Sequence, residues 1–146
     1  METLSIFLNM AGFIVGLGAV TVIDLHGFLG IKSSYWTEAT IRTHKITKPL
    51  IWIGTFLILI SQIIMKSINS ITYNEFIFRL LIILALIING IFLSFIISPI
   101  LLKKEKEGKA QELLEKNLQI KISISFVISF LGWWSMVYLF ASSVTN

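Results

Sequence analysis

Four long runs of apolar residues divide this chain of 146 residues, and they constrain its fold more than any other feature. The runs cover residues 4–25, 49–66, 76–102 and 120–140. As helices, such runs can cross the ~30 Å hydrocarbon core of a bilayer, where a helix satisfies its own backbone hydrogen bonds. Apolar residues make up 55% of the chain, more than a soluble fold of this size can bury. We therefore predict an all-α integral membrane four-helix bundle, in which residues 1–146 form one domain.

The lysine and arginine residues are distributed unevenly between the two ends of this predicted bundle. Ten of the 12 lie in or beside the first and third connectors: Lys32, Arg42, Lys45, Lys48, Lys103, Lys104, Lys106, Lys109, Lys116 and Lys121. The positive-inside rule therefore places connectors one and three in the cytoplasm and both termini outside. We expect a multi-pass protein of the bacterial inner membrane. Anionic lipid headgroups explain its net charge of +4, and we expect no nucleic acid partner.

Both basic connectors carry the spacing of amphipathic helices that lie on the membrane surface. In connector one, Glu38 and Arg42 are spaced as an i, i+4 ion pair, and we predict an interfacial helix over residues 34–45. Pro49 follows, and it either opens the second span or kinks a longer helix. Connector three is predicted to form a second interfacial helix with an apolar face made of Ala110, Leu113, Leu114 and Leu118.

Several side chains within the spans indicate how the helices pack. Gly12 and Gly16 form a small-xxx-small pair, which predicts the close approach of another helix. Asn89, near the middle of the third span, is expected to hydrogen-bond to another helix or to its own backbone. Arg79, at the start of that span, is expected to extend outward to water. The far end of the fourth span holds three aromatic residues typical of interface anchors: Trp133, Trp134 and Tyr138.

The two histidines of the chain lie at the two ends of connector one. Because this connector joins antiparallel neighbours, His26 and His44 are expected at similar depth, together with Asp24 and Glu38. Two imidazoles and two carboxylates at one end of a bundle can hold a divalent metal. His26 and His44 alone could ligate haem b axially. The alternative is that Asp24 and the two histidines face headgroups and water, with Asp24 paired to Arg42 or Lys48 across the connector.

The sequence offers little catalytic machinery. It contains no cysteine, which excludes disulfides, thiolate metal sites and cysteine nucleophiles. It also lacks a phosphate-binding glycine loop and a Ser-His-Asp signature, so we predict no catalytic residue. The expected function is that of a non-enzymatic membrane protein, either an accessory subunit of a larger membrane complex or a homo-oligomer. The alternative function is a haem- or metal-binding redox or transport protein that uses His26 and His44.

The first half of the chain resembles a known group of membrane proteins. It has an acid and a histidine at the end of the first span, the sequence Ala-Thr-Ile-Arg at residues 39–42, and a proline and Gly54 in the second span. This pattern resembles small four-span bacterial membrane proteins of the copper-resistance D type and the related membrane protoporphyrinogen-oxidase type. The resemblance implies handling of haem, porphyrin or copper at His26 or His44. Residues 103–134 resemble uncharacterised bacterial membrane proteins, which implies no activity.

Overall fold

The computed structural model describes residues 1–145, and its regular structure consists of four long helices. They are α1 (Glu2–Gly30), α2 (Ser34–Ser67), α3 (Tyr73–Lys106) and α4 (Lys116–Thr145). Each is long and apolar enough to cross a membrane. This confirms the prediction of a helical chain with four candidate spans. We call the end of the bundle with the α1–α2 and α3–α4 connectors the connector end, and the opposite end the terminus end.

Helices α1 and α2 cross closely where glycines face each other. A Cβ atom on Gly12 would lie 2.6 Å from Cγ1 of Ile58 and 2.9 Å from the carbonyl oxygen of Gly54. Gly16 lies against Gly54 and against the indole of Trp133 in α4. The prediction of a close helix approach at Gly12 and Gly16 is therefore confirmed, and three helices meet at this point.

Trp133 lies in the core of the bundle and not at a membrane interface. Its side chain is 1% exposed, and it packs in a cluster of buried apolar residues: Val20, Ile58, Ile83, Leu86, Trp133 and Met136. The prediction that Trp133 is an interface anchor is wrong, because the missing side chain of Gly16 leaves room for its ring. The other two predicted anchors, Trp134 and Tyr138, are exposed on the outside of the bundle.

Helix α2 runs without interruption through Pro49, so residues 34–45 do not form a separate interfacial helix. Proline inside a helix removes one backbone hydrogen bond. Packing on both sides of Pro49 offsets that loss, since Ile41 and Ile58 are buried in two different core clusters. The start of α2 is tied to the end of α1 because the Thr37 hydroxyl donates to the carbonyl oxygen of Gly30 at 2.9 Å.

Residues 107–115 of connector three form turns and irregular backbone, so the predicted interfacial helix is absent there. Gly108 has a φ of +70°, a left-handed conformation that favours glycine and that follows the end of α3. Ala110 and Leu114 nevertheless pack against the core cluster at the connector end. Their apolar character reflects this contact with the bundle and not a helix on the membrane surface.

Two short π-helical turns interrupt the α-helical geometry within the spans. The first, Phe13–Leu17, contains Gly16 at the crossing of α1 and α2. The second, Leu93–Ile97, contains Ser94, which accepts hydrogen bonds from α2. Such turns are frequent at functional sites, and the second one borders the cavity described next.

Candidate functional site: a cavity at the connector end

A cavity of about 280 Å³ lies among residues of all four helices in the connector half of the bundle. Most of its lining is apolar, and polar side chains enter it from each helix. The polar residues that matter here are Asp24, Thr40, His44, Lys48, Ser94 and Ser123. The volume is near the lower limit for small-molecule sites, and a few polar groups in an apolar lining are typical of them.

Helix α2 supplies a regular stripe of polar and aromatic residues to this cavity. Thr40, His44, Lys48 and Trp52 all line it and are spaced four residues apart. Residues at this spacing share one face of a helix. Lys48 and Trp52 were not predicted as site residues, because the sequence left open whether the helix continues through Pro49. Their spacing across the proline is the signal that could have found them.

Ser94, in the second π-helical turn, holds two of these side chains in place. The Lys48 ammonium donates to the carbonyl oxygen of Ser94 at 3.3 Å, and Trp52 Nε1 donates to the Ser94 hydroxyl at 3.2 Å. Lys48 Nζ also lies 5.8 Å from the centroid of the Phe95 ring, within the range of a cation–π interaction. Contacts with α3 therefore determine the position of the Lys48 ammonium in the cavity.

Asp24 and His44 line the same cavity, and each has hydrogen-bonding groups that lack a partner among the described residues. Within residues 1–145, the Asp24 carboxylate has neither a hydrogen bond nor an ion pair. His44 is 9% exposed, and its buried Nε2 lacks a partner in that same part of the chain. Leaving the buried His44 Nε2 unsatisfied costs about 1–3 kcal/mol, whereas Asp24 is only partly buried. Both side chains have groups available to a ligand.

The other two predicted ligands lie elsewhere. The His26 ring packs against Trp36 with 5.2 Å between ring centroids, and His26 is not among the cavity-lining residues. The Glu38 carboxylate pairs with Arg42 at 2.5 Å and accepts a hydrogen bond from Gln111 at 3.1 Å. The structure thus brings Asp24 and His44 together and places His26 and Glu38 outside their cavity.

The positions of these four predicted ligands determine how well the cavity fits a metal or haem. Across the described residues, no group of three or more His, Asp or Glu side chains is placed to hold a metal ion. The cavity offers the imidazole of His44 alone, whereas ligation by two histidines would also need His26. Haem and metal binding therefore stay predictions, and we derive no chemistry from them.

A polar network at the terminus end contrasts with the open groups of the cavity. The Ser61 hydroxyl donates to the carbonyl oxygen of Ser5 at 2.7 Å and accepts a hydrogen bond from the Asn9 amide. Gln62 Nε2 donates to Asn9 Oδ1 at 3.2 Å. The amide of Gln62 in turn accepts a hydrogen bond from Arg79. These bonds connect α1, α2 and α3 inside the bundle.

Arg79 is the charged member of this network, and the prediction that it extends outward is wrong. The side chain is 1% exposed. Its Nη1 donates to Gln62 Oε1 at 3.2 Å, and its Nη2 donates to the carbonyl oxygen of Leu139 in α4 at 2.8 Å. These two acceptors, on two other helices, hold the guanidinium inside the bundle.

Asn89 forms a third polar contact at mid-depth between α3 and α4. Its Nδ2 donates to the carbonyl oxygen of Ser125 and to the hydroxyl of Ser129, both at 3.1 Å. Its Oδ1 accepts from the Ser125 hydroxyl at 2.7 Å. The predicted bond from Asn89 to another helix is confirmed. Because Ser125 also lines the cavity, this contact borders the site.

Comparison of the chain with protein-family models, with curated proteins and with solved structures finds no match.

Proposed function

We propose that this protein binds an amphiphilic small molecule in the cavity at the connector end. The polar part of the ligand contacts Asp24, His44 and Lys48, and its apolar part contacts the surrounding apolar lining. The observation that carries this proposal is the presence of unpartnered polar groups in an otherwise apolar cavity. A ligand that bonds to these groups while burying its own apolar surface removes the cost of leaving them unsatisfied.

The proposed orientation follows from the charge distribution of the chain. The basic residues that accumulate at the connector end support a cytoplasmic location for this end and an outside location for both termini. The cavity then opens in the cytoplasmic half of the bacterial inner membrane. Ion pairs such as Lys45 with Glu105, at 2.7 Å, occupy the same end of the bundle, where headgroups and water surround them.

The proposal assigns binding and no catalytic step to the cavity. It agrees with the expectation of a non-enzymatic membrane protein and adds a defined ligand site. The polar residues of the site belong to rigid helices, and Ser94 fixes Lys48 and Trp52 from a neighbouring helix. Such preorganisation suits selective binding, because little side-chain freedom is lost when the ligand enters.

A photoactivatable monoacylglycerol with a diazirine in its acyl chain tests this proposal. The purified full-length protein is labelled in detergent, and the labelled peptides are located by mass spectrometry. We expect saturable labelling of the cavity segments 23–31 and 122–127 that excess unlabelled monoacylglycerol competes away.

Two variants that each replace a hydroxyl side chain by leucine provide the comparison. Ser123 lines the cavity, and its hydroxyl donates only to the Gln119 carbonyl of its own helix at 2.9 Å, so Ser123→Leu fills the cavity without breaking a contact between helices. Thr21 is exposed and bonds in the same way to Leu17, which makes Thr21→Leu the control. We expect Ser123→Leu to lower the labelling at least about fivefold. Equal, non-saturable labelling of both variants would contradict the proposal.

A second candidate function is that of a homo-oligomer or of an accessory subunit that packs through α1. A shallow groove between α1 and α2 is lined by Ile14, Gly18, Val22 and Ile46. A Cβ atom on Gly18 would meet no atom within 4 Å, so the backbone of α1 is open to close approach there. Small residues of this kind allow tight helix contacts in membranes.

This candidate is tested by the oligomeric state in detergent, measured by light scattering with size-exclusion chromatography. The expected species is a dimer, and Gly18→Leu should shift it to a monomer because the new side chain fills the groove. Thr21→Leu, which lies outside the groove on the same helix, should leave the dimer intact. A monomeric wild-type protein would remove this candidate.

A further inference from the structure

We infer that the ligand of the cavity is an ethanolamine-type phospholipid, whose head carries a primary ammonium beside an anionic phosphate, and that it enters sideways between α1 and α4. The inference rests on the proposed binding function and names its ligand class. Charge, hydrogen-bonding capacity and access each support it.

The cavity contains an acidic and a basic side chain that are not paired with each other within residues 1–145. Asp24 and Lys48 both line it, yet no ion pair within 4.0 Å joins them in the part of the chain that the structure describes. The Lys48 ammonium has three N–H donors, and among the described residues it forms one hydrogen bond, to the Ser94 carbonyl oxygen. A head with one positive and one negative group satisfies both residues. A purely anionic head would leave Asp24 unpaired, and a purely cationic head would leave Lys48 with unused donors.

The nitrogen of the ligand must carry hydrogens to use the remaining groups. Asp24 offers carboxylate oxygens, and His44 Nε2 is a buried ring nitrogen without a partner among residues 1–145. A primary ammonium can donate to the carboxylate and to the neutral imidazole nitrogen at the same time. A trimethylated nitrogen has no N–H and would leave the imidazole unsatisfied. Sites built for hydrogen bonds reject analogues that lack the donor, so the site should prefer ethanolamine to choline.

A shallow groove on the outside of the bundle gives the lipid a route from the bilayer. It runs along α4 between Lys116 and Ile128 and includes Ile31, the residue that follows α1. The groove and the cavity share three lining residues, Ile31, Ser123 and Val127, so they adjoin each other. An acyl chain can lie against exposed apolar residues of this groove while the head enters the cavity.

The dimensions of the cavity agree with this arrangement. About 280 Å³ accommodates a polar head and the start of a chain, and not a whole two-chain lipid. The acyl chains must therefore remain in the groove and the surrounding bilayer. Lys116, at the start of α4, lies at the connector end of the groove, where lipid phosphates of that leaflet are expected.

The test compares three lipids with the same acyl chains on the delipidated full-length protein in detergent. Dioleoylphosphatidylethanolamine, dioleoylphosphatidylcholine and dioleoylphosphatidylglycerol are titrated, and the bound fraction is measured by native mass spectrometry. We expect the ethanolamine lipid to bind at least about tenfold more tightly than either of the others. This comparison uses the wild-type protein and does not depend on the folding of a variant.

Three variants then locate the selectivity. Asp24→Asn, which keeps the side-chain shape, and Lys48→Gln, which keeps a donor for Ser94, should each lower the affinity for the ethanolamine lipid about tenfold. Glu2→Gln, the control, changes an exposed acid of the same helix at the terminus end and should bind like the wild type. A melting curve for each variant verifies that it is folded.

The outcomes separate this inference from the function on which it rests. Equal binding of the three lipids that is lost in Ser123→Leu overturns the ethanolamine assignment and leaves the amphiphile site standing. Binding that is non-saturable for all three lipids, and unchanged in Ser123→Leu, overturns both. A preference for the ethanolamine lipid that survives in Asp24→Asn and Lys48→Gln overturns the assignment to this cavity.

Discussion

The two ends of the bundle use similar polar side chains for opposite purposes. At the terminus end, the Arg79 guanidinium is buried and its two Nη atoms donate to acceptors on α2 and α4, although its Nε lacks a partner within residues 1–145. At the connector end, Asp24 and His44 line a cavity and have groups without partners within the described chain. Polar groups that satisfy one another hold helices together, whereas polar groups left open in a cavity are free to bind a ligand.

The difference predicts that the two ends respond differently to mutation. Substitutions at the terminus end should lower stability without a specific effect on binding. Substitutions in the cavity should lower binding and change stability little.

The largest effect is expected for Arg79→Ala. Hydrogen bonds from a charged group contribute about 1.5–3 kcal/mol each, and Arg79 donates two of them to buried acceptors. We expect a loss of about 3–5 kcal/mol, measured by unfolding in mixed micelles with increasing sodium dodecyl sulfate. Lys66→Ala is the control at the same end. Lys66 is only partly buried, and its Nζ lies 5.9 Å from the ring centroid of Tyr73, so its removal should cost less than the removal of Arg79. Equal losses for the two variants would contradict a structural role for the Arg79 network.

An intermediate effect is expected at the crossing of α1 and α2. In Gly12→Ala, the new methyl would lie 2.6 Å from Ile58 Cγ1, so the helices must separate at a cost of about 1–3 kcal/mol. In Gly18→Ala, the methyl meets no atom within 4 Å. Alanine is the better helix former by up to about 1 kcal/mol, so this change should be neutral or stabilising. The same unfolding assay measures both variants, and a destabilising Gly18→Ala would mean that a helix of this chain or of a second copy packs against α1 at Gly18.

The smallest effect on stability is expected for Asp24→Asn and Lys48→Gln. Asp24 forms no hydrogen bond or ion pair within residues 1–145, and glutamine at position 48 can still donate to the Ser94 carbonyl oxygen. Each change should alter the free energy of unfolding of the ligand-free protein by less than about 1 kcal/mol. A loss as large as that of Arg79→Ala would mean that the cavity residues stabilise the fold, and the contrast between the two ends would disappear.

The sequence was sufficient to predict features that depend on one helix or on adjacent residues. Run lengths predicted four helices able to cross a membrane. The spacing of Gly12 and Gly16 predicted a close crossing, and the amide of Asn89 in an apolar span predicted a partner on another helix. Each of these follows from a local requirement. A span must be long enough to cross the bilayer, a close crossing needs small side chains, and an amide in an apolar span needs a hydrogen-bond partner.

Features that depend on contacts between distant residues were beyond sequence reasoning. Arg79 turns inward because Gln62 and the carbonyl oxygen of Leu139 meet it from two other helices. Trp133 is buried because Gly16, far away in the sequence, leaves space for its ring. Helix α2 continues through Pro49 because it packs on both sides of it.

The candidate site likewise contains residues that the sequence predicted and residues that only contacts between distant parts of the chain reveal. His44 and Asp24 were predicted as site residues from residue type and from their position near connector one, and they do line one cavity. The contributions of Lys48 and Trp52 depend on an unbroken α2, which the sequence left as one of two alternatives, and on Ser94 of α3, whose contact with them the sequence did not predict. His26 was excluded from the cavity by its packing against Trp36.

The most direct test of the account is native mass spectrometry of the protein extracted from its own membrane with a mild detergent. If the cavity binds an amphiphile, the wild-type protein and Thr21→Leu should each retain one such molecule per chain. Ser123→Leu, in which the cavity is filled, should retain none. The account would be contradicted if no molecule stayed bound to the wild type, or if the Ser123→Leu variant retained as much as the wild type does.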